Sequence, residues 1–145
     1  MNMNETEITE VVKNAHTVAV YGMQDERKKD RPAYRIPAQL KDRGMKLYPI
    51  NPKIQTSLGE KAFASLKDLP VKVDVLDVFR RSDAIPELVE EILALPEVIK
   101  PKVVWLQTGI IHPEAEHKLE NAGIKVVSDA CLGVYAAKLR PLVNS

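Results

Sequence analysis

One cysteine in 145 residues is too few for an internal disulfide. Cys131 also has no neighbouring cluster of ligand residues, which argues against a structural zinc site. A reducing compartment fits that usage. Net charge is scarce as well: 21 Lys and Arg against 20 Asp and Glu leave a formal +1. No overall field therefore marks nucleic acid or an anionic membrane as partner, and any anion site has to be local. No apolar run approaches the roughly 20 residues of a membrane-spanning helix. The stretch from Met1 to Glu10 is polar and acidic, without the apolar centre of a secretory signal. The expectation is a cytoplasmic protein with neither nucleic acid nor membrane as partner. With no fixed-period repeat, low-complexity tract or long Gly/Ser linker, the length suits one domain over residues 1–145.

What is present alternates. Ile8 to Asn14 reads as a leading helix, with Thr6 or Thr9 as its cap. Thr17 to Tyr21 (TVAVY) is a β-branched apolar run ending at Gly22, as a strand buried on both faces should be. A helix from about Tyr34 to Gly44 follows, with Pro32 and Pro37 in its first half. Lys46 to Ile50 is a second strand, and Pro49 places it toward an edge. Between Gly59 and Pro70 the sequence predicts only a short helix capped by Ser65. Val73 to Phe79 is a third strand, and a helix capped by Ser82 or Asp83 runs from it to about Leu95. Lys102 to Leu106, a helix over Pro113 to Asn121, and Ile124 to Val127 complete the series. This order predicts an α/β fold: a doubly wound five-stranded parallel sheet with helices on both faces.

In such a sheet the ligand crevice lies outside the carboxyl ends of the strands. Those exits are Gly22 to Gln24, Asn51 to Lys53, Phe79 to Arg81, Gln107 to Ile110 and Ser128 to Cys131, all polar or glycine-bearing. Gly22 permits close backbone approach to an anion, yet the loop GMQDERKKDRPAYR lacks the GxGxxG dinucleotide fingerprint. Arg27, Lys28, Lys29, Arg31 and Arg35 could pair with phosphates, but Asp25, Glu26 and Asp30 dilute them and the mixed run reads as a solvated loop. Arg80 and Arg81 are sharper, since guanidinium forks suit phosphate and an exposed Phe79 beside them suits an adenine ring. His16, His112 and His117 are scattered and predict no metal. Asp74 and Asp77 fall on opposite faces of a regular strand and make no acid/base pair. Neither a P-loop nor a serine nucleophile elbow is present.

The segments VAVYGMQ, DRPAYRIPAQLKDRGMKLYPINPK, LGEKAFASLKDLP, VDVLDVFRRSDAIPELV, VVWLQTGI and AGIKVVSDAC resemble the small stand-alone CoA-binding proteins. Their domain is similar to the CoA-binding domain of the succinyl-CoA synthetase α subunit. The resemblance runs over residues 17–139, behind a leading helix in residues 1–16. It implies a single Rossmann-like domain that binds coenzyme A, free or acylated. Carried over by position, Gly22, Met23 and Gln24 would contact the pyrophosphate or pantetheine region, and Arg35 would face them from its helix. Asn51, Pro52 and Lys53 would lie near the adenosine and its 3′-phosphate. Phe79, Arg80 and Arg81 would flank adenine and phosphates, and Gln107, Thr108, Gly109 and Ile110 would line the thiol side.

The chain departs from the family's usual pattern in two places. Met23 or Gln24 stands where the first loop commonly carries serine, and Ala130 stands where arginine commonly precedes the cysteine. The synthetase's phosphorylated histidine belongs to a domain this sequence does not contain. The function expected is therefore a non-catalytic CoA or acyl-CoA binding protein, with which a homo-oligomer is compatible. The alternatives are an enzyme working on a CoA thiol or thioester through Cys131 or His112, and an interaction protein with a decayed nucleotide site.

Overall fold

Helix α1 (Glu5–Asn14) begins where the sequence supplies a complete capping box. Asn4 Oδ1 accepts from the Glu7 N–H at 2.9 Å, and Glu7 Oε1 accepts from the Asn4 N–H at 3.2 Å. The cap is thus Asn4, not Thr6 or Thr9, because this pair satisfies two orphan donors reciprocally. The computed structural model describes residues 3–143, so the ends of the domain predicted over residues 1–145 lie outside the described residues.

Five strands form the sheet: β1 (Thr17–Tyr21), β2 (Lys46–Ile50), β5 (Val75–Val78), β6 (Val103–Leu106) and β7 (Lys125–Val127). Their spatial order is β2-β1-β5-β6-β7, and every neighbouring pair is parallel. The predicted doubly wound α/β sheet is what the chain forms. Alternate residues feed two cores: Val18, Val20, Val75 and Trp105 pack on one face, Ala19, Leu76, Val78 and Val104 on the other. Helices α1, α2 (Pro32–Asp42) and α5 (Leu132–Leu139) cover the first face through Ile8, Val12, Leu40, Leu132 and Ala136. Helices α3 (Ile85–Leu93) and α4 (Pro113–Asn121) cover the second through Leu88, Val89, Ile92 and Leu119. None of the described helices is long and apolar enough to cross a membrane.

Pro49 sits in β2, at the edge of the sheet as its missing donor requires. Its carbonyl accepts from Phe63 N–H at 2.9 Å, so the following segment shields part of that edge. Two elements depart from the sequence expectation. Residues 56–61 make a small hairpin, β3 (Thr56–Ser57) and β4 (Glu60–Lys61), turning on Leu58 and Gly59, both at positive φ. Helix α5 follows the last strand. It carries Gly133 because a Cβ there would meet Gln39 Oε1 at 2.9 Å and Ile36 Cγ2 at 3.2 Å on α2. The glycine buys this close packing of two helices at some loss of helix propensity, which hid α5 in the sequence.

Arg140, just beyond α5, closes the amino end of this face. Its Nη1 donates to the carbonyls of Val12, Lys13 and Ala15 at 3.0, 3.1 and 2.7 Å, and its Nε donates to Arg43 O at 2.9 Å. One planar fork thereby holds the ends of α1 and α2. We expect Arg140→Met to lower stability by about 2–3 kcal/mol, the cost of leaving several half-buried carbonyls without a donor. Urea unfolding measures it, and Arg140→Lys should recover less than half of the loss, since an ammonium cannot span the same carbonyls.

Candidate functional site

The winding direction reverses between β1 and β5, and the exits of these two strands touch. Gly22, at φ +85°, lies so close to the next exit that a Cβ on it would stand 2.6 Å from Phe79 O. Gly22 N–H donates to Ile50 O at 2.9 Å and Phe79 N–H to Tyr21 O at 3.0 Å, so three strand tips are pinned together at this point. Crevices open on both sides of the contact. One, of about 630 Å³, is walled by Gly22, Gln24, the start of α2 (Arg31, Arg35) and the exits Phe79 to Arg81 and Gln107, Thr108 and Ile110. The other, of about 430 Å³, is walled by Gly22, Gln24, Asn51 to Lys53, Ser65, Phe79, Arg80 and Glu91.

The first loop is held by a defect in a helix. Pro37 inside α2 has no N–H to give Ala33 O. That carbonyl accepts instead from Gln24 N–H at 3.0 Å, which docks the loop onto the helix. Ser57 Oγ donates to Gln24 O at 2.7 Å from the hairpin. Glu26 accepts from Leu58 N–H at 2.8 Å and from the Tyr34 hydroxyl at 3.2 Å, and the Leu58 bond holds its carboxyl below the usual range. Asn51 spends its amide inside the protein: Nδ2 donates to Met23 O and Oδ1 accepts from Lys53 N–H, both at 2.9 Å. The hairpin and Pro37 are thus supports that the sequence reading did not identify.

Twelve of the fourteen residues singled out from the sequence line one or both crevices. Met23 and Gly109 do not. Met23 points its side chain into the core and is fully buried. Gly109 is tied outward, its N–H donating to Asp129 Oδ1 at 2.7 Å. Phe79 is not the free aromatic plate expected beside the arginines. It is half-buried, packed against the core that holds Val18, Val20 and Trp105, and leaves only part of itself to the crevice. Ser82 is not a simple helix cap either. Its Oγ accepts from Ile111 N–H at 3.0 Å and reaches Gly109 O at 3.5 Å, joining two strand exits, while a short 3-10 turn over Ser82–Ala84 leads into α3. Lys28 and Arg31, read from sequence as part of a solvated loop, also wall the larger crevice.

Charge separates this crevice from the other hollows. Lys28, Arg31, Arg35 and Arg80 line it with no acidic partner among the described residues, and Arg81 has only an exposed contact to Asp83 at 3.4 Å. Lys53 adds a cation to the smaller crevice. At the amino ends of the strands a hollow of about 470 Å³ also holds lysines, but they are neutralised. Lys102 pairs with Asp74 at 3.1 Å, and Lys100 with Glu97 at 2.7 Å. A hollow of about 740 Å³ beside α4 is walled by Glu114, Glu116, Glu120 and Asp129 and would repel an anion.

Beneath the larger crevice lies a buried acid. Asp77, in the middle of β5, is fully buried, and its Oδ1 accepts from Gln107 Nε2 at 2.7 Å. Its Oδ2 has no partner. Burial pushes the carboxyl up to about 7 against the opposing pull of the Gln107 bond. Asp74 belongs to another region: it accepts from His16 and Thr17 N–H groups at 2.8 and 3.1 Å at the sheet's amino end. The two aspartates form no pair, as their spacing predicted.

Several known proteins are similar to this chain in sequence or fold. An uncharacterized Bacillus subtilis (strain 168) protein, YneT, is 35% identical over 136 residues, which are 94% of this chain and 96% of that protein. A Thermus thermophilus structure, described as cell-free ID.343, is 43% identical with a TM-score of 0.85, covering 94% of this chain and 99% of that one. A hypothetical protein from Pyrococcus horikoshii OT3 is 29% identical with a TM-score of 0.81, covering 94% and 92%. The fold alone extends to a dinucleotide-forming acetyl-coenzyme A synthetase of Ca. Korarchaeum cryptofilum, at 24% identity and a TM-score of 0.66, where the match takes in 27% of the larger chain. The CoA binding domain family matches residues 16–137, from the start of the sheet to the last helix and with every wall of both crevices inside it, so the chain belongs to that family.

Proposed function

We propose that the protein binds coenzyme A, free or acylated, in the paired crevices at the β1–β5 switch and performs no covalent chemistry on it. The observation that carries this reading is the convergence of Lys28, Arg31, Arg35 and Arg80 on one crevice with no acidic partner among the described residues, whereas the lysines of the hollow at the sheet's amino end, Lys100 and Lys102, are paired with Glu97 and Asp74. Unneutralised guanidinium groups at a strand switch match a ligand with several phosphates. Crevices of 630 and 430 Å³ joined at Gly22 fall in the range that holds cofactors. On this reading the 3′-phosphate and adenosine lie toward Lys53, and the diphosphate lies between Arg80 and the start of α2. The two residues considered as reactive groups are placed elsewhere. His112 spends Nδ1 accepting from Ala115 N–H at 3.2 Å as the cap of α4, and Cys131 precedes α5 outside both sets of walls.

Calorimetry with CoA, dephospho-CoA, ATP and NAD tests the proposal. CoA should bind most tightly. Replacing Arg31 and Arg35 together by Gln should weaken CoA by about tenfold or more and flatten the salt dependence. Both side chains are exposed and have no protein partner, so the thermal midpoint should stay within a degree or so. Indifference of the wild-type protein to CoA at millimolar concentration would refute it.

A further inference from the structure

We infer that Asp77 is a positioning residue that sets the crevice floor to accept an uncharged N–H donor, and so selects ligands in which an amide-bearing arm follows the phosphates. The inference rests on the CoA reading and goes one step further, to the part of the ligand that carries no charge.

Gln107 lies at the end of β6, almost wholly buried, with one edge on the wall of the larger crevice. A primary amide can present either its oxygen or its nitrogen, and a neighbour must choose. Here Asp77 chooses, because its Oδ1 accepts from Gln107 Nε2 at 2.7 Å and thereby turns Gln107 Oε1 the other way. That oxygen has no protein donor among the described residues, yet it is not sealed from solvent: among those residues Asp77 Oδ2 alone is a fully buried side-chain polar atom without a partner. It therefore meets the crevice as a free neutral acceptor among guanidinium groups.

A phosphate gains nothing from such an atom, since two acceptors repel. An amide N–H fits it. The pantetheine arm of CoA carries two amides, and adenosine 3′,5′-bisphosphate carries none. Asp77 can hold this orientation in either charge state, because a proton on Oδ2 leaves Oδ1 an acceptor. In the uncharged state it does so without placing an anion under the ligand's phosphates.

The test compares CoA with adenosine 3′,5′-bisphosphate by calorimetry on the full chain. Asp77→Val suits a buried strand and removes the acceptor. It should weaken CoA about tenfold and leave the bisphosphate within twofold, the size of one ligand hydrogen bond. Asp77→Asn can turn either its oxygen or its nitrogen to Gln107 and so fixes the amide only in part; it should weaken CoA by less than Asp77→Val does and leave the bisphosphate within twofold. Gln107→Met, which deletes the acceptor itself, should reproduce the Asp77→Val result, and the double variant should lose nothing more. The inference is overturned if both ligands weaken together, if Asn weakens CoA as far as Val does, or if Gln107→Met keeps the preference for CoA. Wild-type protein that takes up neither ligand would instead overturn the CoA reading.

Discussion

Replacing Gly22 by Ala should abolish measurable CoA binding and lower stability by roughly 3 kcal/mol, more than a glycine-to-alanine change ordinarily does. Two effects combine. At φ +85° any side chain is strained, which costs about 1 kcal/mol. The added methyl would also stand 2.6 Å from Phe79 O, a backbone atom that cannot swing aside. Because Gly22 and Phe79 end adjacent strands and bond to Ile50 and Tyr21, relieving the clash spreads the tips that wall both crevices. Gly123→Ala separates the effects, since Gly123 has φ +86° with nothing within 4 Å of its Cβ position and lies far from the crevices. It should cost about 1 kcal/mol. Urea unfolding and CoA titration of both variants make the comparison. Equal losses of stability would show that the Phe79 contact is not a constraint, and retained affinity in Gly22→Ala would show that the tips need not meet.

The sheet was legible because each central strand is a short apolar run with a punctuating residue at its exit: TVAVY before Gly22, VVWL before Gln107. The edge position of β2 followed from Pro49 alone. The same logic failed for α5, where a glycine needed for contact with α2 reads as a helix breaker, and for the hairpin, whose two-residue strands are too short to show alternation. At the site, strand exits named most of the crevice walls, because topology places them there whatever the residues. Side-chain direction was not legible. Nothing in GMQ says that Met23 turns inward while Gln24 is held by Ala33 and Ser57, since that outcome depends on a carbonyl freed by Pro37 thirteen residues downstream. Lys28 and Arg31 read as solvated loop for the opposite reason. Asp25, Glu26 and Asp30 dilute their charge in sequence, but in space Asp25 is occupied by Arg27 and Glu26 by Leu58 and Tyr34.

Asp77 gives the protein an unusual dependence of stability on pH. Its unfolded carboxyl titrates near the ordinary value of about 4, and its folded carboxyl near 7 because burial disfavours the charge. Below pH 4 both states hold the proton and the residue contributes no slope. Between pH 4 and 7 the unfolded chain releases the proton while the folded chain keeps it. Stability then falls as pH rises, by up to about 1.4 kcal/mol per pH unit and roughly 4 kcal/mol in all. Asp74 and Glu26, both held below their usual range, act in the opposite sense: their contribution is full above their unfolded values and is lost as pH falls through the folded ones. The wild-type profile is therefore a sum, and the difference from Asp77→Asn isolates the buried acid. That difference should favour the variant increasingly from pH 4.5 to pH 8, widening by roughly 2–4 kcal/mol, with the amide's own unpartnered N–H taking a constant toll. Urea unfolding at four pH values follows it. A difference that stays flat across the range would mean that Asp77 ionises at its ordinary pH, and that the carboxyl has solvent or a donor at Oδ2 in the folded protein.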